Sequence, residues 1–325
     1  MFGLENEMQR TIRLQFDSTS VRVRVIVGML VTLCCSPQLG AQDGVFDWQQ
    51  GKSLNAGIRF QRVEVEQPRK MVVHGVQIDT RTPGLRLHTT PRRAEWKEGN
   101  AETNRQTSRD FLRQSRARGL ATILVVNADA FSPWPVPFDQ PTPTDLAGLA
   151  VADGTLVSKG SGSPSLVRRK SGALSIEVTG PDFDPSDVDL AVSGFALCLD
   201  NGQPIAAGTD LHPRTGCGLS DEARFLVLVA IDGRQPASLG ATTEELGRWL
   251  KHFGAHRGIN MDGGGSTTLA WWDPSSPGDD KCQLLNRPVG NGFNAAKLPP
   301  DGFQPTERAN GNNLGVALDT VDSRE

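Results

Sequence analysis

Ala121-Thr122-Ile123-Leu124-Val125-Val126-Asn127-Ala128-Asp129-Ala130-Phe131 begins as an apolar, β-branched run and turns polar at Asn127 and Asp129. A run of this length without polar alternation reads as a strand buried on both faces. Polar groups then appear where a central strand would emerge. Phe225 to Ile231 is a second run of the same kind, closed by Asp232-Gly233. Met71 to Asp79 and Leu85 to Thr89 read as strands around the turn Thr82-Pro83-Gly84. Hairpin turns are expected at Ala152-Asp153-Gly154, Lys170-Ser171-Gly172 and Asp200-Asn201-Gly202.

Two helices are expected. The first runs from Thr107 to Arg118, capped by Thr107 or Ser108 and stopped by Gly119, with Arg109, Arg113, Arg116 and Arg118 as a solvated face. The second runs from Thr243 to Phe253. Thr242 and Glu245 have capping-box spacing, and Leu246, Trp249, Leu250 and Phe253 recur at helical period. Gly258 to Met261 and Asn312 to Leu318 complete the expected strands, and Ser132 to Pro137 is an ordered loop overhanging a pocket. No internal repeat or linker is visible. The expectation is a single α/β (α+β) domain with a mixed, largely buried β-sheet flanked by a few helices and β-hairpins.

The 325 residues carry 37% hydrophobic and 22% charged residues and a formal net charge of -3. No basic excess points to nucleic acid as a partner. Arg22 and Arg24 precede the apolar run Val25 to Cys35, and Gly40-Ala41 offers a cleavage point, so residues 1–41 read as an export signal. Residues 42–325 are then the secreted or periplasmic domain, with no membrane span in the mature chain. Glu5, Glu7 and Asp17 are unusual in such a leader and suggest a start at Met8. Leu33 disfavours a lipid anchor at Cys34 or Cys35. The remaining Cys198, Cys217 and Cys282 allow one disulfide, for which the Cys198–Cys217 pair is nearest in sequence, and no CxxC spacing suggests zinc.

Asn260-Met261-Asp262-Gly263-Gly264-Gly265-Ser266-Thr267-Thr268 is where chemistry concentrates. Consecutive glycines let backbone amides approach a ligand, and such nests favour anions. Asp262 adds a carboxylate suited to acid–base work, metal binding or a sugar hydroxyl. By itself the run is equally a glycine-rich turn with an Asx cap. Arg214, in His212-Pro213-Arg214-Thr215, offers a planar fork for a phosphate or carboxylate, and Asp232 and Glu244 are further carboxylates at element ends. Strand ends and the start of the second helix are expected to converge there.

The ordered series Asn127–Phe131, Val192-Ser193-Gly194-Phe195, His212–Thr215, Ile231–Arg234, Gly240–Leu246 and Asn260–Thr268 resembles the phosphodiester glycosidase family. The similarity runs from about Met71 to Leu318, with Asn286–Val289 and Asn312–Val316 resembling the family's closing elements. The resemblance implies hydrolysis of a sugar-1-phosphodiester at the glycosidic C1–O bond, on an extracytoplasmic glycan such as exopolysaccharide. In that reading Arg214, Thr267 and the Gly263, Gly264, Gly265 and Ser266 amides cradle the phosphate. Asp262 is the first choice of catalytic carboxylate, with Asp232 and Glu244 in reserve. Asn127, Asp129, His212, Thr215 and Asn260 contact sugar or phosphate. No cofactor is called for, and a divalent metal held by Asp129, Asp232 and Asp262 is left open. Two features depart from the family: Ala128-Asp129-Ala130 stands where glycines are usual, and the insertion Asp273 to Gln283 is expected beside the site. The alternatives are a non-catalytic binder of sugar-phosphate polymers, or a serine esterase or metallophosphoesterase. Thr268 breaks the esterase Gly-x-Ser-x-Gly pattern.

Overall fold

Apolar and β-branched runs punctuated by Gly, Pro and Asx turns favour strands over helices. The computed structural model, which describes residues 44–133, 136–293 and 296–319, has 21 strands and two α-helices among them. An eight-stranded sheet runs in the order Lys52–Asn55, Ile58–Val65, Met71–Asp79, Phe225–Ile231, Arg214–Leu219, Arg257–Asn260, Ala196–Asp200, Gln203–Pro204. A five-stranded sheet follows the order Cys282–Leu284, Leu269–Trp272, Thr122–Asn127, Asn313–Leu318, Leu85–Thr89. A second five-stranded sheet is centred on Val188–Ser193, and Thr103–Asn104, Pro143–Leu146 and Phe131–Ser132 form a small third layer.

The expected balanced α/β architecture with one mixed sheet is therefore corrected. The protein is mainly β, and every pair of its named strands is antiparallel. The apolar runs are buried on both faces, as expected, but two-sided cover does not require parallel strands. Along Phe225–Ile231, Leu226, Leu228 and Ala230 enter the main core, while Val227, Val229 and Ile231 pack under a helix. In Thr122–Asn127, Leu124 and Val126 share that core and Val125 packs against Phe111 and Leu112. All three large sheets contribute to the main core, with Leu166, Ile176, Leu190 and Val192 coming from the third.

Helix α1 (Ser108–Ala117) is capped by Thr107, whose hydroxyl accepts the Asp110 N–H at 3.1 Å. Helix α2 (Thr243–His252) has the expected reciprocal box between Thr242 and Glu245. It lies close on the eight-stranded sheet because the strands beneath carry glycine: a Cβ at Gly216 or Gly258 would approach Leu246 or Leu250 to 2.8 or 2.7 Å. The arginines of α1 are not a plain solvated face. Arg109 pairs with buried Glu307, Arg113 with Asp110 and Asp280, and the Arg116 guanidinium lies 4.0 Å from the Trp272 ring. The Asp273 to Gln283 insertion follows the Leu269–Trp272 strand, and its Asp280 pairs with Arg113 of α1.

Cys198, Cys217 and Cys282 are buried free thiols, so the Cys198–Cys217 disulfide is not formed. Their strands are separated by Arg257–Asn260, and they face opposite sides of the sheet, Cys198 under α2 and Cys217 in the main core. The export leader with Cys34 and Cys35, and Trp134 and Pro135 of the proline-rich loop, lie outside the described residues. No helix among the described residues is long and apolar enough to cross a membrane.

After Asn260 the chain leaves the eight-stranded sheet and enters the other at Leu269, so residues 261–268 bridge the two sheets. Asn127, at the end of its own strand, pins both ends of this bridge. Its Nδ2 donates to the Asp262 carbonyl at 2.6 Å, and its Oδ1 accepts the Thr268 N–H at 3.1 Å and the Thr215 hydroxyl at 2.8 Å. Asn127→Ala strands these buried groups. It should lower stability by about 2–4 kcal/mol, read as a lower urea midpoint with an unchanged slope. A midpoint within error of wild type would remove Asn127 from this role.

Candidate active site

The bridge is tight because other chain segments press on it. A Cβ at Gly265 would meet the Gly290 carbonyl at 1.9 Å, and Gly264, at φ +63°, would bring one to 3.0 Å from the Arg234 guanidinium. The glycines serve close packing. The N–H groups of Asp262, Gly264, Ser266 and Thr267 bond to the carbonyls of Ala128, Pro213, Gly263 and Gly264, and Thr268 is held by Asn127. Of the expected amide cradle, the Gly264, Ser266 and Thr267 donors are therefore spent within the protein.

Cations supply what the amides do not. Arg214 enters from the start of its strand, with Nε on the Ala241 carbonyl at 3.0 Å and Nη2 on the Asp210 carbonyl at 3.0 Å. Arg234 follows the Phe225–Ile231 strand at φ +57°, and its Nη2 donates to His212 Nδ1 at 3.1 Å. A guanidinium has no lone pair to offer, so Nδ1 is the acceptor and Nε2 of neutral His212 carries the proton. Burial lowers the His212 pKa, and Arg214 and Arg234 lower it further. Arg308 donates from Nη1 to the Ser266 hydroxyl at 3.1 Å and from Nε to Asn291. Burial lowers the basicity of Arg214, Arg234 and Arg308, and Arg234 depresses the other two. Arg214 and Arg234 have no ion pair among the described residues. Mutually repelling, partly desolvated guanidinium groups of this kind can take an anion.

The carboxylate of Asp262 lies beside Arg308, and Arg234 packs against the neighbouring Gly264. Asp262 is partly buried, and its pKa is raised to about 6. Burial is the main cause, opposed by the Ser266 hydroxyl, the charge of Arg308 and the Gly263 N–H. It is therefore ionised at neutral pH yet closer to proton exchange than an ordinary aspartate.

The other expected carboxylates do not join it. Asp232 is 3% exposed, with Oδ2 3.0 Å from His74 Nε2 and Oδ1 accepting from Asn286 at 3.2 Å and the Arg287 N–H at 2.9 Å. Asn286 in turn holds the Thr267 carbonyl and the Leu269 N–H, so Asp232 braces the bridge from behind. Asp129 is fully buried and accepts the Ser193 N–H at 2.8 Å and Asn312 Nδ2 at 2.7 Å. Burial pushes its pKa up to about 8. Glu244 pairs with Arg248 on the outer side of α2. The three aspartates thus do not meet around a metal, and among the described residues no cluster of three or more His, Cys, Asp or Glu could hold one.

Thr215 and Thr267 are buried with their hydroxyls 3.3 Å apart, and both brace the bridge together with Asn127. Asn260, His212, Arg214, Asp262 and Ser266 are brought together at one end of the eight-stranded sheet. Arg234 ends the motif Ile231–Arg234, and its place two residues after Asp232 is the sequence signal for a site role. Arg308 carries no local signal, since it sits in an irregular stretch without period or motif.

Residues 121–296 match the model of the phosphodiester glycosidase family. No curated protein matches the chain significantly. Among solved structures, the chain is similar to the zebrafish N-acetylglucosamine-1-phosphodiester alpha-N-acetylglucosaminidase catalytic domain, auto-inhibited by its pro-peptide. The two are 17% identical with a TM-score of 0.58, over 83% of this chain and 87% of that one. A hypothetical protein from Synechocystis is 14% identical with a TM-score of 0.50, over 82% of this chain and 63% of that one. At these identities the structural likeness speaks for the fold. With more than half of its length matched by the family model, the chain belongs to the phosphodiester glycosidase family.

Proposed function

We propose that the protein hydrolyses a sugar-1-phosphodiester, releasing free sugar and a phosphomonoester. The observation that carries this reading is the carboxylate of Asp262 beside Arg308, on a segment whose Gly264 packs against the Arg234 guanidinium. In this scheme the phosphate lies against the guanidinium groups and the Nε2–H of His212, while Asp262 faces the sugar. The C1–O bond breaks, and its electron pair leaves on the phosphate oxygen. The cations stabilise the charge developing there, so no strong general acid is required. Asp262 stabilises the oxocarbenium-like centre and accepts a proton from the water that adds to C1. Asp232, Asn127 and Thr215 act as positioning residues in the same scheme, and Asp129 and Glu244 are left out of the chemistry.

The same reading places the enzyme outside the cytoplasm, delivered by the 1–41 leader, with a glycan phosphodiester as substrate. An N-terminal sequence of the mature protein starting near residue 42 supports export, and a retained leader counts against it.

Asp262→Asn should lower kcat by about 100-fold or more while the variant stays folded; near-normal turnover removes Asp262 from the mechanism. Wild-type kcat/KM should fall about tenfold per pH unit below about pH 6, as Asp262 becomes protonated. The sign for stability is opposite. Because the folded pKa is raised, the stabilising contribution is present below the unfolded value and lost as pH rises through about 6. Asp262→Asn should therefore gain stability over wild type between acid and neutral pH, measured by urea unfolding at both. Arg234→Ala should raise KM and weaken inhibition by inorganic phosphate; unchanged values for both place the phosphate elsewhere. Tight binding of diesters without product release would favour the non-catalytic binder. In the sequence departure behind that alternative, Ala128 and Asp129 are turned into the core.

A further inference from the structure

Asn260 is the last residue of its strand and is 5% exposed, yet its buried Oδ1 has no hydrogen-bond partner. An unpaired buried amide oxygen is destabilising unless a ligand satisfies it. The sheet register fixes where this side chain stands. Asn260 pairs with Gly216 on one side and Ala196 on the other. A Cβ on Gly216 would approach Leu246 of α2, so this row faces the helix, whereas the next residue, Met261, packs in the main core on the other face. Its two partners carry no side chain and a single methyl group, so neither can reach the amide. Gly258, two residues earlier, lies under Leu250, which puts Asn260 one step closer to the start of α2.

Arg214 stands on the same face. It lies two residues before Gly216 on the adjoining strand, which makes it the diagonal neighbour of Asn260, roughly 7–8 Å away along the sheet. Its Nε and Nη2 are held by the Ala241 and Asp210 carbonyls, both at 3.0 Å, which orient the guanidinium without neutralising it. The choice of an amide beside it matters. A carboxylate at position 260 would satisfy itself by pairing with Arg214 and would cancel the charge. Asparagine offers an acceptor and leaves the guanidinium cationic.

We propose that Asn260 and Arg214 act as one recognition pair at the start of α2: Arg214 takes a phosphate oxygen, and Asn260 Oδ1 accepts a hydroxyl or amide N–H carried next to that phosphate. On a sugar 1-phosphate the donor nearest the phosphate is the substituent on C2. The pair therefore selects sugars with a hydroxyl or acylamino group there over 2-deoxy sugars. The χ2 torsion of asparagine is soft, and rotation about it turns the oxygen toward the incoming group. This assignment rests on the sugar-phosphodiester reading above and adds to it a requirement on the sugar.

Calorimetry tests the pair. Glucose 1-phosphate, N-acetylglucosamine 1-phosphate, 2-deoxyglucose 1-phosphate and inorganic phosphate are titrated into wild type, Asn260→Ala and Asn260→Asp, and each protein is unfolded in urea. Wild type should bind at least one of the two C2-substituted sugar phosphates about tenfold more tightly than the 2-deoxy compound. Asn260→Ala should erase that margin while binding inorganic phosphate as wild type does. Asn260→Asp should weaken inorganic phosphate about tenfold or more at an undiminished urea midpoint, because the new carboxylate pairs with Arg214. The proposal is overturned by no margin in wild type, by a margin that survives in Asn260→Ala, or by phosphate binding that is unchanged in Asn260→Asp or weakened only together with the midpoint. An Asn260-dependent margin without turnover of any diester would instead overturn the hydrolytic reading and leave the pair standing.

Discussion

Asn127 uses one side-chain amide to hold the chain where it passes from one sheet to another. That passage has to turn sharply between two packed layers, and its polar backbone cannot be left without partners as it does so. Asn127 satisfies a carbonyl at the beginning and an amide at the end, while Thr215 ties the same oxygen to a third strand. Asp262 sits inside this frame, so its position depends on interactions made behind it. The glycines that follow are required because Pro213, Arg234 and Gly290 leave no space for side chains.

The electrostatics of the site run against stability. Arg308 lies beside Asp262 and Arg234 against Gly264, Arg214 starts a strand of the same sheet, and burial weakens the preferred charge state of all four. A fold optimised only for its own stability would pair or expose such groups. Partly desolvated cations close to a carboxylate with a pKa of about 6 suit an anionic partner and a proton transfer.

The remaining buried polar residues form the support. Asp232 links His74, Asn286 and the Arg287 backbone, and Asn286 passes that support to the end of the bridge. Asn312 joins Asp129 to Thr89 and Thr90, tying three parts of the fold at one point. Connected polar networks of this kind rigidify a core. Motif residues that look catalytic by type, Asp232 and Asn127 among them, hold the residues that contact the opening.

Much of the local structure was legible in the sequence because its causes are local. The Thr242–Glu245 box starts α2, Thr107 starts α1, and the Asp153-Gly154 and Asn201-Gly202 turns fall where hairpins form. The family and the Asp262-containing segment were also legible, through ordered motifs. Strand direction was not, because a run buried on both faces has the same composition in a parallel and an antiparallel sheet. Nor was the division of labour among the aspartates: Asp129, Asp232 and Asp262 differ only in which distant groups meet them. Cys198 and Cys217 are close in sequence but lie on opposite faces of one sheet, and Arg308 reaches Ser266 from an unpatterned loop. Sequence determined the elements and the chemical types available; only tertiary structure decided which of them share a space, because burial, pairing and pKa are properties of neighbours.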